Sequence, residues 1–504
     1  MAEYIMTLDE GTTSARALVV DKKGNIISSA QKEFAQIYPQ VGWVEQDPIE
    51  IWTTTMECIG KCMTSANISP QDIKAIGITN QRETTVVWDI KTGTPLYNDI
   101  VWADRRTAGY CDALIADGKN DLIRNKTGLI INSEFSAPKI NWILNNIPGA
   151  RERAEKGEVV FGNIDTWVLW NLTGAHLTDV GNASRTLLFN VHTMDWDDEL
   201  LELFDVPKAM CPKALDSSGF FANTNVPTLF EGASIPVTGI LGDQMASAFG
   251  QALFKKGDAK ITWGTAAVYM RAVGSEAKLS DNGLVTTLGW RIKDDIQFFL
   301  EGTVWNGASQ IQWLRDEMDM IDESKDSEYF ARKSKLPLGT VYMVPSFSGL
   351  GAPYWDDYAR GTIFGMSRGT NKYDIIRATL DSIVYQTKDQ IVASDGDMGE
   401  ALDYLRIDGG AAPNNLVCQF CADICGMPVE RPVNVETTAL GAAYCAGLGI
   451  GFWDSYQDII DNKAIDKIFT PEMPKEQSDK LYKGWVNAVK AIMTWSKGDK
   501  EIFG

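Results

Sequence analysis

Short apolar runs bounded by polar turns recur along the 504-residue chain, and between them lie segments whose apolar positions repeat every three or four residues. Runs at 4–8, 17–20, 75–79, 85–88, 236–241, 260–263, 297–301 and 405–407 read as buried strands, because a strand covered on both faces has no polar face to alternate with. Helical periodicity marks 48–66, 105–116, 136–146, 245–253, 308–318, 373–393, 415–425 and 438–446. The first helix shows the logic. Trp52, Met56, Ile59 and Met63 form one stripe flanked by Cys58 and Cys62, and Asp47-Pro48-Ile49-Glu50 supplies a cap, a first-turn proline and an acid three residues after the cap. Strands alternating with helices predict an α/β fold.

A chain of this length exceeds what one core fills, so two units are expected, 1–253 and 254–504. An internal echo supports the division: "TLDEGTTSARALVV" at 7–20 and "ITWGTAAVYMRAV" at 261–273 both run strand, Gly-Thr, strand. The echo predicts that the second unit repeats the plan of the first, each offering its Gly-Thr turn to a shared cleft.

Composition narrows the partners. With 44% hydrophobic and 23% charged residues the chain is an ordinary globular one, and its net charge is 47 − 67 = −20. That balance argues against a large nucleic-acid or anionic-membrane surface, both of which need Lys and Arg against phosphate. The N-terminus "MAEYIMTLDEG" has no basic region before its first strand, so the expected compartment is the cytoplasm. The longest uncharged stretch, 437–453, contains four glycines and reads as a buried helix ending in a turn rather than a membrane span. Cys418, Cys421 and Cys425 follow a helical spacing beside Val417, Phe420 and Ile424, which is core packing rather than a zinc set.

Three polar stretches carry candidate chemistry. In "LDEGTTSAR", Gly11, Thr12, Thr13 and Ser14 form either a plain hairpin turn or a phosphate cradle of N–H and hydroxyl donors. In the second reading Arg16 adds charge and Asp9 holds Mg²⁺. In "ILGDQMASAFG", Asp243 either caps a helix or accepts a substrate hydroxyl proton during phosphoryl transfer. In "GITNQRETTVVW", Arg82 and Glu83 lie in an exposed loop, or offer a polyol donors beside an acceptor if the backbone turns out of the sheet. No P-loop and no GxGxxG occurs.

Ten stretches in order from Tyr4 to Trp495, among them "LDEGTTSAR", "GITNQRETTVVW", "NDIVWADRRT", "GDQMASAFGQ", "GLGAPYWDDYARGTIFG" and "LRIDGGAAPNN", resemble the FGGY carbohydrate kinases. The resemblance implies a two-domain actin/hexokinase-like (ribonuclease H-like) fold with ATP and Mg²⁺ in a central cleft. It also implies phosphorylation of a primary hydroxyl of a small polyol, glycerol to sn-glycerol 3-phosphate in the first instance, by a homodimer. Matched position by position, Asp243 is the catalytic base, while Arg82, Glu83 and Gln244 hold polyol hydroxyls. Trp102, which periodicity alone would place in the core, becomes a wall against the substrate carbons. Thr12, Thr13, Ser14, Arg16 and Thr265 face the phosphates, Ala308, Gln312, Gly410 and Asn414 the nucleotide, and Asp9 with Asp243 the metal. Departures from the pattern of the glycerol-specific members are expected to gather near the substrate. Glu10 replaces Gln, Glu134 replaces Tyr, Val268 replaces an aromatic residue, and Ala266 and Ala308 replace Gly. They leave a longer polyol or a ketose open as substrate, and a non-catalytic nucleotide switch on the same fold as the remaining alternative.

Overall fold

The structure, a computed structural model, describes the backbone of residues 3–503 and the side chains of residues 3–498. The outermost positions of the two expected units, residues 1, 2 and 504, lie outside the described residues. Two sheets organise the chain, and each begins with a hairpin. The first contains β1 (Tyr4–Glu10), β2 (Ser14–Val20), β3 (Ile26–Glu33), β4 (Ile73–Asn80), β5 (Ser218–Asn223) and β6 (Pro236–Gly242) in the order β5-β6-β4-β1-β2-β3. The hairpin β1-β2 and strand β3 are antiparallel, whereas β1, β4 and β6 run parallel. Register puts Glu10 and Gly242 on either side of Asn80, so the three parallel strands end along one line.

The second sheet repeats this plan with β7 (Ala259–Trp263), β8 (Ala267–Gly274), β9 (Val285–Ile292), β10 (Asp295–Val304), β11 (Leu405–Asp408), β12 (Val429–Pro432) and β13 (Ile465–Phe469). Its order is β9-β10-β8-β7-β11-β12-β13, with β7, β11 and β12 parallel. Thr262 stands opposite Asp408, so β7 delivers its Gly-Thr turn beside the end of β11 as β1 does beside β4.

Helices cover the sheets. The first, α1 (Pro48–Ser65), starts as its sequence predicts: Asp47 accepts from the Ile49 N–H at 2.8 Å, and Cys58 and Cys62 are buried in its stripe. Next come α2 (Ala108–Ala116), α3 (Ser136–Asn146), α4 (Asp243–Gly250), α5 (Ser309–Asp316), α6 (Lys372–Met398), α7 (Asn415–Cys425), α8 (Thr437–Gly449) and α9 (Lys475–Phe503). Two starts differ from the periodicity by more than one residue. Helix α2 begins at Ala108 rather than residue 105, because the Arg106 guanidinium is fixed by Asp104 and Glu45 outside the helix. Helix α4 begins two residues early, at Asp243, and ends at Gly250 ahead of Ala252, whose φ is +58°.

The uncharged stretch at 437–453 becomes α8, which ties the halves together. Although it belongs to the second half of the sequence, it packs on β1, β4 and β6 of the first sheet and on α4. Ser218 and Thr238 donate to the carbonyls of Cys445 and Ala446 at 2.7 and 2.8 Å. Glycines allow the approach: a Cβ on Gly77 would stand 2.4 Å from the Ala442 carbonyl oxygen, and one on Gly239 the same distance from the Ala446 nitrogen. Among the described residues no helix is long and apolar enough to cross a membrane.

Candidate active site

The first polar turn is a tight one, closed by the Gly11 N–H on the Ser14 carbonyl at 3.0 Å. Thr12, Thr13 and Ser14 sit at its tip, where Thr12 Oγ1 accepts from Trp102 Nε1 at 3.0 Å and Ser14 Oγ from Gln31 at 2.8 Å. Asp9 and Arg16 are cross-strand partners, and the guanidinium meets Asp9 Oδ2 at 2.5 Å. Its other arm reaches Glu436, also at 2.5 Å, at the start of α8. Burial raises the Asp9 carboxyl above its usual range while Arg16 opposes the shift. Among the described residues both bonds to the Asp9 carboxylate go to Oδ2 and none to Oδ1.

Asp243 stands at the same edge of the sheet. It follows β6, and β6 is separated from β1 only by β4, so about two strand spacings, or roughly 10 Å, divide the Asp9 and Asp243 backbones. Burial raises the Asp243 carboxyl, against the pull of Arg82. The helix-capping reading fails: Gly242 is the cap and Asp243 the first helical residue. Oδ1 accepts from the Gln244 N–H at 2.7 Å and faces Arg82 Nε at 3.2 Å, leaving Oδ2 with only a 3.5 Å contact to the Gln244 amide.

Arg82 and Glu83 do leave the sheet. Strand β4 ends at Asn80, and Glu83 has φ +63°, a left-handed conformation that costs a non-glycine residue roughly 1–2 kcal/mol. The turn brings both side chains inward, 6% and 3% exposed. Arg82 clasps Glu301 of β10 with both terminal nitrogens, at 2.8 and 2.7 Å. Glu83 Oε1 is held by Arg185, which also donates to Thr287 at 2.9 Å and lies 3.3 Å from Glu134. Gln244 Oε1 accepts from the buried Lys260 at 2.7 Å, while its amide nitrogen lies 3.5 Å from Asp243 Oδ2. Arg185 lies in the stretch "NASRTLLFN", whereas Lys260 and Glu301 have no motif around them. Their signal is a charge inside an otherwise apolar run, as in "FFLEG" and "AKITW", since such residues are almost never buried unpaired.

Glu134 is held from behind. Lys139 is fully buried and donates to the backbone carbonyls of Ser133 and Phe135 at 2.7 and 3.0 Å, and also to that of Glu134. Burial and the neighbouring Glu83 push the Glu134 carboxyl up to about 7 against two arginines. It lines a cavity of about 460 Å³ together with Trp102, Asn132, Trp305, Trp355 and Asp357. Trp102 is therefore a cavity wall and not a core residue. Val268, 7% exposed, belongs to the same core cluster as Met245, whose sulfur lies 3.6 Å from Arg82 Nη1.

Glu10, another of the departures, does not join Glu134 at the cavity. Alternation along β1 turns it to the opposite face from Asp9, where both oxygens lie 3.0 Å from the Thr55 hydroxyl of α1. Burial lifts its carboxyl to about 8 from 4.5. Between those pH values the unfolded chain releases the proton and the folded one keeps it, so stability falls as pH rises, by up to about 1.4 kcal/mol per unit. Glu10→Gln should thus raise the melting temperature at pH 8 and do little at pH 4.5, which thermal melts across that range will read.

The nucleotide-side candidates gather at the end of the second sheet. Ala308 donates its N–H to the Gly264 carbonyl at 2.8 Å, and the Gly307 N–H meets the Thr265 carbonyl at 2.9 Å. The Ala411 N–H reaches Trp263 at 3.2 Å, seating Gly410 beside the same turn. Gly409, φ +88°, must be glycine here, because a Cβ would lie 2.8 Å from the Trp263 backbone. Gln312 is exposed on α5, one turn past Ala308. Asn414 is partly committed elsewhere, its oxygen capping α7 by accepting from the Val417 N–H at 3.1 Å.

Two sheets of one plan, each carrying a hairpin turn, with carboxylates at one sheet end, fit a phosphate-handling enzyme of the two-sheet α/β class. Family models agree: the N-terminal domain of the FGGY family of carbohydrate kinases matches residues 4–250 and its C-terminal domain residues 259–450. The chain belongs to that family. It is 52% identical to glycerol kinase 1 of Clostridium tetani over 99% of this chain and 100% of that protein. It is 50% identical to the glycerol kinase of Haemophilus influenzae over 99% of each. The crystal structure of Plasmodium falciparum glycerol kinase with ADP superposes with a TM-score of 0.90 at 34% identity, covering 97% of this chain and 98% of that one.

Proposed function

We propose that the protein transfers the γ-phosphoryl group of ATP to a primary hydroxyl of glycerol, giving sn-glycerol 3-phosphate and ADP. The supporting observation is a ring of unpaired acceptors. Among the described residues Asp243 Oδ2, Glu83 Oε2 and Glu134 Oε2 are left without a close donor around Arg82 and Arg185, which suits a neutral ligand that donates several hydrogen bonds. The likeness in sequence to glycerol kinases points the same way.

In this reading Arg82, Glu83 and Gln244 hold the polyol, and Trp102, Val268 and Glu134 bound it. Asp243 accepts the hydroxyl proton as the oxygen–phosphorus bond forms and the bond to the β-phosphate oxygen breaks; its raised affinity for a proton suits a base. The turns at Thr12, Thr13, Ser14 and Thr265 donate to the phosphates. Arg16 lends charge tempered by Asp9 and Glu436, and Ala308, Gln312, Gly410 and Asn414 border the nucleotide. We place the boundary between the two units at 253/254 and expect them to close on the substrates, excluding water from the transferred group.

Asp9 and Asp243 fit Mg²⁺: each keeps a carboxylate oxygen without a strong protein donor, and this cation is commonly held by one or two carboxylates with water and substrate phosphates. Bound there, Mg²⁺ would neutralise the charge developing on the phosphoryl oxygens.

One observation favours a second reading, a longer polyol. The cavity beside Glu134 is about 460 Å³, within the roughly 300–1,000 Å³ of sites that take drug-sized ligands and well beyond a three-carbon triol. Initial rates of ADP release with glycerol and with four- and five-carbon polyols test both. Saturation by glycerol alone supports the first reading. If longer polyols are used at least as well, Glu134→Gln should lower their kcat/KM about 10-fold by removing a charge-assisted acceptor, with a smaller effect on glycerol. No polyol-dependent ADP release would refute both.

A further inference from the structure

We infer that Glu301 is a positioning residue for the polyol site: a carboxylate from the second sheet that sets the orientation of Arg82 and, through Arg185, of Glu83. The inference rests on the assignment of Arg82 and Glu83 to the substrate. Glu301 itself touches no substrate, since it is 0% exposed and both of its oxygens are taken. Oε2 accepts from Arg82 Nη1 at 2.8 Å, and Oε1 accepts from Nη2 at 2.7 Å while lying 3.4 Å from Arg185 Nη2. A fork of this kind fixes the guanidinium plane as well as its place.

That plane matters because of what remains of Arg82. Of its five donors, two meet Glu301, one faces the Met245 sulfur at 3.6 Å and Nε points to Asp243 at 3.2 Å. Only one Nη2 hydrogen is left for a ligand, and its direction follows from the clasp. Small residues leave room for this arrangement: a Cβ on Gly242 would stand 2.7 Å from Arg82 Cγ. On the other side, Arg185 is braced by Thr287 at 2.9 Å and lies over the Phe135 ring at 5.0 Å, so its bond to Glu83 is equally directed. Burial would raise the Glu301 carboxyl, but Arg185 and Arg82 outweigh it and hold it at about 2, so the carboxylate stays charged wherever the enzyme works. Arg82 and Asp243 come from the first sheet and Glu301 from the second, so the cradle is complete only when both sheets are in place.

Glu301→Gln keeps the shape and one acceptor but loses the fork. We expect KM for glycerol to rise about 10-fold or more, kcat to fall less, and KM for ATP to stay within about twofold. In an Arg82→Lys background the same change should add less than about twofold, because its effect passes through Arg82. Thr287→Val, a milder change that removes the hydroxyl bracing Arg185 and bonded to Glu301, should raise the glycerol KM severalfold in a protein that still folds, and answers the question if Glu301→Gln folds poorly. A wild-type glycerol KM in folded Glu301→Gln, equal loss for ATP and glycerol, or full additivity with Arg82→Lys would overturn the role of Glu301. If Arg82→Lys itself leaves the glycerol KM unchanged, the underlying site assignment fails instead.

Discussion

Asp243→Asn should lower turnover by about 10²- to 10⁴-fold and leave nucleotide affinity near that of the unaltered protein. The substitution is nearly isosteric, and its carbonyl oxygen can still accept from the Gln244 N–H that Oδ1 meets at 2.7 Å. What disappears is the capacity to take a proton. The nucleotide-side group around Gly264, Ala308 and Gly410 is built on the second sheet, and Asp9 remains to hold Mg²⁺, so binding there should change little. Initial rates with calorimetric ADP titration separate the two effects. An unchanged rate would remove Asp243 from the role of base, and a loss confined to ADP binding would place it on the wrong substrate.

The second large effect is expected in the packing behind the site, where α4 and α8 cross. A Cβ on Gly441 would lie 1.8 Å from the Ala246 carbonyl oxygen, 2.7 Å from its carbon and 2.8 Å from the Gly250 nitrogen. All three are backbone atoms, so no rotamer relieves the overlap and the helices must part. Gly441→Ala should therefore destabilise the protein by about 1–3 kcal/mol or more, outweighing the roughly 1 kcal/mol that alanine gains in an exposed helix. Because α4 begins at Asp243, activity should fall even at temperatures where the variant remains folded. Gly60→Ala in α1 is the control: nothing lies within 4 Å of its added Cβ, and the change should stabilise by about 0.5–1 kcal/mol. Denaturant midpoints of the two variants check both signs. Equal midpoints would show that the glycine contacts do not hold these helices together.

What could be read from the sequence followed from local pattern. Each expected apolar run and periodic stretch became a strand or helix, and the repeated Gly-Thr hairpin became two sheets with one plan, because burial and turn chemistry are local properties. Edge elements escaped: β3 alternates unevenly and is mostly exposed, with burial only at isolated positions. Helix α9 was also unread, although Leu481, Trp485, Val489 and Ile492 pack on the second core at helical spacing. At the site, residues inside motifs were legible and their supports were not. Arg82 is visible in "NQRETT", but its partner Glu301 lies 219 residues away on the other sheet. Glu10 fails for the opposite reason: it is adjacent to Asp9 in sequence, and strand geometry sends the two to opposite faces.

The central claim, that a polyol hydroxyl and the terminal phosphate of ATP meet at Asp243 between the two hairpin turns, is tested most directly by a crystal structure with glycerol, Mg²⁺ and a non-hydrolysable ATP analogue. The account predicts a primary hydroxyl within hydrogen-bonding reach of Asp243, about 2.6–3.2 Å, the remaining hydroxyls on Arg82 and Glu83, and the terminal phosphate between Thr12 and Thr265. Glycerol bound away from Arg82 and Glu83, or a phosphate chain directed away from Asp243, would contradict it.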